Sequence, residues 1–156
     1  MTHVSIIGTG NMGQAIAAVA ANGGNSVELF GSADQDRPIT GDVVVLAVPY
    51  PALQQVLAER ADQLAGKVVV DITNPLNFET FDSLVVPADG SAAAELAAKL
   101  PDAKAALIAA ITSSGLGAVD AGSLERAHEL EAIGFLQLTL AVGEQIGWTG
   151  GLAVAR

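Results

Sequence analysis

Short runs of apolar residues alternate along the chain with turns rich in glycine and polar residues. Val4–Ile7 and Val27–Phe30 are β-rich runs, and each of them stops at a glycine. Asp42–Val48 and Lys67–Ile72 are almost uninterrupted apolar runs, each followed closely by a proline. A continuous apolar run of this length indicates a parallel strand that is covered on both faces. The pattern therefore predicts a series of strands in which the third is central and the fourth is buried.

Helical periods lie between these runs. Gln14–Ala21 is alanine-rich and indicates a helix that ends at residues 22–24, where an asparagine precedes two glycines. After the third strand, Pro51 suits the first turn of a helix whose apolar residues recur at helical spacing up to Gly66. Residues 31–41 show no convincing helical pattern, so we expect an abbreviated loop between the second and third strands.

The regular alternation of strand and helix stops after the fourth strand. Ser91 has the character of an N-cap for a helix that runs to about Leu100. Asp102 then caps a second helix over residues 103–111, and no strand comes between the two. Because each crossover helix of a parallel sheet leads to another strand, either these helices pack as a pair or a strand-bearing segment is missing near residues 101–106.

The C-terminal part of the chain predicts a short strand and a long helix. Residues 116–120 have the pattern of an edge strand. From near Leu124 onward, a helical stripe is expected to be buried, with Leu136 and Leu138 widening it; its members are Leu130, Ile133, Gln137, Leu140 and Ala141. A helix that is buried on more than one side suits packing against a partner subunit, so we expect a homodimer.

Together these elements predict an α/β fold with a doubly wound, mostly parallel Rossmann-type sheet and a long C-terminal helix. The chain has 156 residues, which is enough for one compact core and too few for two independent ones. We therefore expect residues 1–156 to form a single domain.

The charge balance narrows the range of partners. Asp and Glu number 17 against 7 Lys and Arg, which gives a formal net charge of −10 at pH 7. Such a field repels nucleic acid and anionic membrane surfaces, so we expect neither as a partner. The absence of cysteine excludes disulfides, thiol catalysis and thiolate metal sites. No basic and hydrophobic leader opens the sequence, so a cytoplasmic location is expected.

A glycine-rich motif stands between the first strand and the first helix. Gly8–Gly13 has the spacing of the dinucleotide fingerprint, in the context that the fingerprint requires. Gly8 would allow the tight turn, Gly10 the approach of a pyrophosphate, and Gly13 close packing of the helix on the sheet. The helix N-terminus would then face the phosphates. The alternative is that these glycines merely connect a strand to a helix.

The end of the second strand bears on the choice of cofactor. An acidic residue there holds the ribose hydroxyls of NAD and repels the extra phosphate of NADP. Glu28 lies within the strand and Asp34 comes later in the loop, so neither clearly takes that position. Ser32 is suited to bind a 2′-phosphate, and Arg37 is the nearby cation. The sequence therefore favours NADP(H), although Ser32 and Arg37 also suit an ordinary loop.

Other candidate site residues follow the third and fourth strands, because ligands of open α/β sheets bind at the carboxyl ends of strands. Asn74 would offer its amide to the nicotinamide or its ribose, or would simply end the strand before proline. His3 and His128 lack the spacing of metal ligands, and we expect no metal and no catalytic acid–base pair. The expected cofactor-binding residues are Gly8, Thr9, Gly10, Asn11, Met12, Gly13, Gly31, Ser32, Ala47, Val48, Pro49 and Asn74.

Several segments, taken in order, resemble the 8-hydroxy-5-deazaflavin-dependent NADP reductase family. They are Gly8–Gly13, Asp42–Tyr50, Lys67–Leu76, Val119–Leu124 and Glu129–Glu131. The resemblance implies NADP(H) as cofactor and hydride exchange with a deazaflavin, with a role for the turn at Thr9 to Met12 and for the strand end at Val48-Pro49.

The sequence departs from this family in two places. The family commonly carries a Ser-Arg pair for the 2′-phosphate, whereas Ser32 is followed by Ala33. Relatives also carry a strand-bearing block of roughly thirty residues, enough for two strands and their connections, where Lys104 is followed directly by Ala105. This second departure coincides with the break in the alternation of strand and helix.

Three functions are compatible with the sequence. The first is an NADP(H)-dependent oxidoreductase that transfers a hydride between NADP(H) and a deazaflavin or flavin-type acceptor, a small-molecule redox partner. Such a reaction needs no nucleophile and base, because the cofactors carry the chemistry. The second is a nucleotide-binding sensor or interaction module without turnover, and the third is a purely structural protein.

Overall fold

A computed structural model describes residues 1–77, 79–80, 83–87, 90–92, 111–118, 122–123 and 126–148. The elements, in chain order, are β1 (His3–Ile7), α1 (Asn11–Asn22), β2 (Ser26–Phe30), β3 (Val43–Leu46), α2 (Tyr50–Leu64), β4 (Val68–Asp71) and α3 (Ala127–Val142). No helix within these residues is long and apolar enough to cross a membrane.

The strands form a parallel sheet in the order β2-β1-β3-β4. Ile7 pairs with both Phe30 and Leu46, and Leu46 pairs with Asp71, so the carboxyl ends of the strands are level. The chain moves to one side of β1 for β2 and to the other side for β3. This change of direction opens a crevice at the carboxyl ends of β1 and β3, where open α/β sheets bind ligands.

Both faces of β3 are covered, as its continuous apolar run predicts. Val43 and Val45 join the core cluster beneath α1, while Val44 and Leu46 join the cluster beneath α2. Every residue of β3 is buried. β4, which the sequence predicts to be buried, is only half-buried at every position. The predicted doubly wound α/β architecture is confirmed in the described part of the chain, including its long C-terminal helix.

The connection from β2 to β3 has no helix, as predicted. Ile39 anchors this loop in the core on the α2 side of the sheet. The carboxylate of Glu28 accepts hydrogen bonds from the hydroxyl of Ser5 and from the N–H and hydroxyl of Thr40. Buried Ser5 in turn accepts the N–H of Gly41 at 2.9 Å. Polar side chains on two strands therefore replace the missing helix as the support of this connection.

Some element boundaries differ from the predictions. α1 begins at Asn11, inside the glycine-rich motif, because the turn itself leads directly into the first helical residues. β3 ends at Leu46 instead of Val48, since its pairing partner β1 ends at Ile7. α3 begins at Ala127, three residues after the predicted start, and residues 124–125 lie outside the described ranges.

The predicted buried stripe of α3 is wrong at three of its positions. Leu130 is 54% exposed, Ile133 is 47% exposed, and Leu136, which was expected to widen the stripe, is 50% exposed. The inward side carries the small residues Ala127, Gly134 and Ala141, of which the two alanines are buried. Because α3 is apolar around most of its circumference, its periodicity does not specify which side is buried.

The predicted edge strand, the two adjacent helices and the break between them lie wholly or partly outside the described residues. Residues 116–118 belong to no strand, contrary to the predicted edge strand, and residues 119–120 are outside the description. Of the two adjacent helices, only residue 92 and residues 111–113 are described, and both are helical. The break near residues 101–106 lies outside the described residues.

Candidate functional site

The turn after β1 is built around Gly8. Its φ is +123°, a conformation that side chains other than glycine rarely adopt. Its N–H donates to the carbonyl of Phe30 at 2.9 Å, and a Cβ at this position would lie 2.1 Å from the carbonyl oxygen of Ala47. The turn therefore fits between β2 and β3 only when residue 8 is glycine, as the sequence predicts.

Gly13 brings α1 close to the same turn. A Cβ at position 13 would lie 2.0 Å from the carbonyl oxygen of Gly8 and 3.6 Å from Cγ2 of Ile6. The first distance is far inside a normal contact, so any larger residue would push α1 away from the turn. The predicted role of Gly13 in close helix packing is confirmed.

Gly10 differs from these two glycines because the fold does not require it. It is the N-cap of α1, with φ −70° and ψ −176°, which any residue can adopt. No described atom lies within 4 Å of the position that a Cβ would take. The space in front of the backbone at Gly10 is open, as close approach of a pyrophosphate would require.

The N-terminus of α1 faces this space. In the described part of the chain no side chain caps the helix, and its first turn contains no acidic residue. The N–H of Gln14 is satisfied by the carbonyl of Gly10 at 3.0 Å. The preceding N–H groups and the positive end of the helix dipole are suited to bind an anion. Thr9, Asn11 and Met12 all lie on the exposed side of the turn.

The end of β2 adjoins the turn. A Cβ at Gly31 would lie 3.5 Å from Cγ2 of Thr9. The carboxylate of Asp34 returns to the strand end, where its Oδ2 accepts the N–H of Gly31 at 2.7 Å. Ser32 is exposed in the loop between them. Asp34 comes four residues after the end of β2 in sequence, but the loop turns back and brings its carboxylate next to the strand end.

Two arginines contact the buried ring of Phe30, close to the end of β2. The guanidinium of Arg37 lies 3.8 Å from the ring centroid and that of Arg60 lies 5.3 Å from it. Arg37 also pairs with Asp34 at 3.1 Å and donates to the carbonyl of Leu29. Buried Arg60 donates to the carbonyls of Arg37 and Asp34. The loop is thus held in place from both sides.

The strand ends of β3 and β4 complete the crevice. The N–H of Ala47 donates to the carbonyl of Ile7 at 2.8 Å, and Pro49 is the N-cap of α2. Val48 packs against the core on the α2 side of the sheet. Pro51 lies in the first turn of α2, as predicted. Ala47, Val48 and Pro49 therefore follow β3 at the carboxyl edge of the sheet, on the other side of β1 from β2.

Asn74 lies at the same edge of the sheet, beyond β4. Its Oδ1 is buried, and no described donor reaches it. A Cβ at Gly134 would lie 3.7 Å from its Nδ2, so the amide faces α3. A buried acceptor without a donor is costly, so this oxygen is a candidate for contact with a bound amide or hydroxyl.

Asp71 supports the turn that presents Asn74. Its carboxylate accepts the N–H of Thr73 at 2.8 Å and the hydroxyl of Thr73 at 3.0 Å. Burial raises the pKa of Asp71 above its usual value, although the two hydrogen bonds from Thr73 act in the opposite direction. The carboxyl group of Asp71 thus holds the turn at Thr73 through hydrogen bonds, and it is largely shielded from solvent.

Each of the two histidines contacts a different part of the fold. Nδ1 of His128 contacts the carbonyl oxygen of Gly90 at 3.1 Å, and this residue is half-buried. His3 lies 3.9 Å from Glu28. No group of three potential metal ligands occurs among the described residues.

Sequence reasoning missed Arg60 and left Asp34 unassigned. Arg60 had a signal, because it occupies a place in the apolar stripe of α2 between Leu57 and Leu64, where a charge needs partners. Asp34 had no comparable signal, since its return to β2 depends on the path of the loop.

A comparison of the sequence with protein families points in the same direction as this geometry. Residues 26–75 match the family model described as NADP oxidoreductase, coenzyme F420-dependent. The chain is similar to this family over that segment. The match runs from the start of β2 to Pro75, so it contains the end of β2 with the loop that follows, β3 and Asn74. The glycine-rich turn precedes it, and its interpretation rests on the geometry given above.

Individual relatives agree with this similarity. An F420-dependent NADP reductase of Methanocaldococcus jannaschii is 34% identical over 73 residues, which are 45% of this chain and 33% of the relative. The alignment thus spans about a third of the length of that curated relative. A crystal structure from Arthrobacter sp. FB24, of a protein proposed to be an F420-dependent NADP reductase, superposes with a TM-score of 0.85 at 19% identity.

The superposition on the Arthrobacter structure covers 100% of both chains, and it shows the Rossmann-like fold. Pyrroline carboxylate reductase of Plasmodium falciparum, solved with NADP bound, has a TM-score of 0.49 at 16% identity, over 97% of this chain and 71% of that one. That likeness is too weak to support an argument.

Proposed function

We propose that the crevice between β2, β1 and β3 binds NADP(H). The observation that carries this proposal is the contrast among three glycines: the fold requires Gly8 and Gly13, whereas Gly10 has open space in front of it. Glycine at a position where the fold tolerates a side chain is explained by a ligand that comes close to the backbone. The N-terminus of α1 supplies N–H donors for the pyrophosphate in a chain whose net charge is −10.

Each group of predicted site residues would meet a different part of the cofactor. The turn from Gly8 to Gly13 would hold the pyrophosphate, and Gly31 with Ser32 would meet the adenosine ribose. Ala47, Val48 and Pro49 would line the path of the nicotinamide half. The buried Oδ1 of Asn74 is suited to accept a hydrogen bond from an amide such as the nicotinamide carboxamide.

We further propose that the protein is an oxidoreductase. When bound, NADPH would supply a hydride, which carries two electrons, to the central-ring carbon of a deazaflavin or to the corresponding ring nitrogen of a flavin, and the acceptor would also take up a proton from solvent. The chain's own task is to bind both rings and hold them close, for which no acid–base pair is needed. The similarity of residues 26–75 to F420-dependent NADP oxidoreductases supports this acceptor class.

The experiment that tests the proposal measures binding and turnover separately. Calorimetric titration with NADPH tests the site, and the decay of NADPH absorbance with coenzyme F420 or FMN tests hydride transfer. Saturable binding together with acceptor reduction is the expected result. Binding without reduction of either acceptor would favour a nucleotide-binding sensor or interaction module, and absence of binding would contradict both functions.

A homodimer is part of the proposal. Leu130, Ile133 and Leu136 of α3 are between 47% and 54% exposed, so the helix presents large apolar side chains to solvent. Burial of such a side against a second copy would remove it from water. The single domain over residues 1–156 and the cytoplasmic location stay predictions from the sequence.

A further inference from the structure

The loop after β2 places a carboxylate where the adenosine ribose of a dinucleotide would lie. Oδ2 of Asp34 accepts the N–H of Gly31 at 2.7 Å. A Cβ at Gly31 would lie 3.6 Å from this oxygen and 3.8 Å from the hydroxyl oxygen of Thr9. The carboxylate, the last residues of β2 and the glycine-rich turn therefore meet at one point.

The carboxylate remains open to a ligand although it is hydrogen-bonded. The side chain of Asp34 is 33% exposed and that of its partner Arg37 is 41% exposed. The N–H of Gly31 and the guanidinium of Arg37 occupy one direction on each oxygen, and a carboxylate can accept about four hydrogen bonds. Hydroxyl groups of a ribose can thus be added to the existing contacts.

The neighbouring cation, Arg37, does not make the site favour a 2′-phosphate over ribose hydroxyls. Arg37 is held by Asp34, by the carbonyl of Leu29 and by the ring of Phe30. A 2′-phosphate would have to compete with Asp34 for this guanidinium and would meet the negative charge of Asp34 at short range. Ser32 is followed by Ala33, so the adjacent residue brings no cation of its own.

We propose that Asp34 sets the balance between NADH and NADPH in this protein. Its carboxylate accepts the ribose hydroxyls of NADH and disfavours the 2′-phosphate of NADPH, so the chain uses both cofactors instead of NADPH alone. The inference rests on the proposed dinucleotide site and names a specificity-determining residue within it. The fixed position of the loop, held by buried Arg60, keeps the carboxylate at the strand end.

The test compares the dissociation constants of NADH and NADPH in the full chain and in Asp34→Asn. Asparagine keeps an oxygen for the N–H of Gly31 and removes the charge. We expect the native chain to bind the two cofactors within a factor of about 10 of each other, and Asp34→Asn to shift the ratio at least 10-fold toward NADPH, a factor equal to about 1.4 kcal/mol. The fragments 2′,5′-ADP and 5′-AMP should show the same shift, because they carry the discriminating groups.

Asp36→Asn is the matched control, since Asp36 is exposed in the same loop and loses the same charge. The ratio should stay within a factor of about 2 in this variant, as screening weakens a solvated charge. Asp34→Ser, which keeps a short acceptor, serves if the asparagine variant fails to fold.

Three results overturn the inference in distinguishable ways. An unchanged ratio in Asp34→Asn, or equal weakening of both cofactors, means that Asp34 only supports the loop. A preference of more than 100-fold for NADPH in the native chain means that the carboxylate does not discriminate. Failure of the native chain to bind either cofactor removes the proposed function itself.

Discussion

At the scale of single residues, the glycine-rich turn separates what folding requires from what binding requires. Gly8 and Gly13 leave no room for a methyl group, and Gly10 does. The sequence motif assigns different roles to the three glycines, and the structure shows the different neighbours behind those roles. Substitution by alanine therefore has different consequences at each of them.

We predict that Gly10→Ala weakens NADPH binding at least 10-fold and leaves the melting temperature of the free protein nearly unchanged. The methyl group would enter open space in the free protein and would meet the pyrophosphate in the complex. Thermal unfolding and calorimetric titration measure the two effects. Gly117→Ala, a change at another open glycine, is the control and should alter neither.

Gly13→Ala is expected to behave in the opposite way. The added methyl group would lie 2.0 Å from the carbonyl oxygen of Gly8, so the free energy of unfolding should fall by about 1–3 kcal/mol, as for other overpacked sites. Urea unfolding of the free protein measures this. An unchanged stability would contradict the close packing of α1 on the turn.

Glu28 gives a prediction about pH. Partial burial alone would raise the pKa of its carboxyl group, but hydrogen bonds from Ser5 and Thr40 lower the pKa below its usual value of 4.5. The unfolded chain therefore takes up the proton first as the pH falls. The stabilisation by this carboxylate is complete above pH 4.5 and is lost as the pH falls through the lower folded-state pKa.

The measurement compares the native chain with Glu28→Gln by urea unfolding at several pH values. At pH 7 we expect the variant to be less stable by about 1–2 kcal/mol, because hydrogen bonds to a charged group are lost. This difference should shrink below the usual carboxyl pKa of 4.5. A difference that is the same at low pH as at neutral pH would contradict the role of the charge.

At the scale of elements, the connection between β2 and β3 depends on a helix that is distant from it in sequence. Arg60 of α2 is buried and donates to the carbonyls of Arg37 and Asp34. A loop without a helix of its own must satisfy its backbone groups in another way. The guanidinium does so here, and it also positions the corner that would meet the adenosine ribose.

Arg60→Met should lower the free energy of unfolding by about 1–3 kcal/mol, since two carbonyl groups lose their donors while most of the apolar stem is kept. NADH and NADPH should bind more weakly in the same variant. Glu59→Gln, at the adjacent exposed position of α2, should stay within about 0.5 kcal/mol of the native chain. Urea unfolding measures the stability of each variant, and titration measures its affinity for the two cofactors. Native-like stability of Arg60→Met would contradict the role of Arg60 in supporting the loop.

At the scale of the whole molecule, α3 carries apolar side chains both on its buried side and at positions exposed to solvent. The inward side carries small residues such as Ala127 and Ala141, while Leu136 is 50% exposed. Small residues allow α3 to approach the rest of the chain closely. The larger apolar side chains of α3 are left exposed, and we propose that they contact a second copy of this chain.

Leu136→Glu is expected to convert the dimer to a monomer, because the substitution places a charge in the middle of the apolar side of α3. Light scattering combined with gel filtration measures the mass. Val19→Glu makes the same change at a partly exposed apolar position of α1 and should leave the dimer intact. A monomeric native chain at micromolar concentration would contradict the proposed dimer.

Local rules were sufficient for much of the fold. Apolar runs of uniform character identified the buried strands, because a parallel strand covered on both faces needs apolar residues at every position. The turn at Gly8 to Gly13 was identifiable because the spacing of its glycines, directly after a strand and before a helix, is itself a local signal. These features depend on neighbours in sequence or on burial alone, so the amino-acid order determined them.

Tertiary structure decided the features that depend on which elements meet. Asp34 reaches Gly31 because Arg60 and Arg37 hold the loop in a returning path, and no spacing in the sequence encodes that path. The inward side of α3 is likewise chosen by packing, since a helix apolar on most sides offers several equivalent stripes. The charge at the end of β2 and the outward apolar side of α3 therefore became visible only when the elements were assembled, because both arise from contacts between distant parts of the chain.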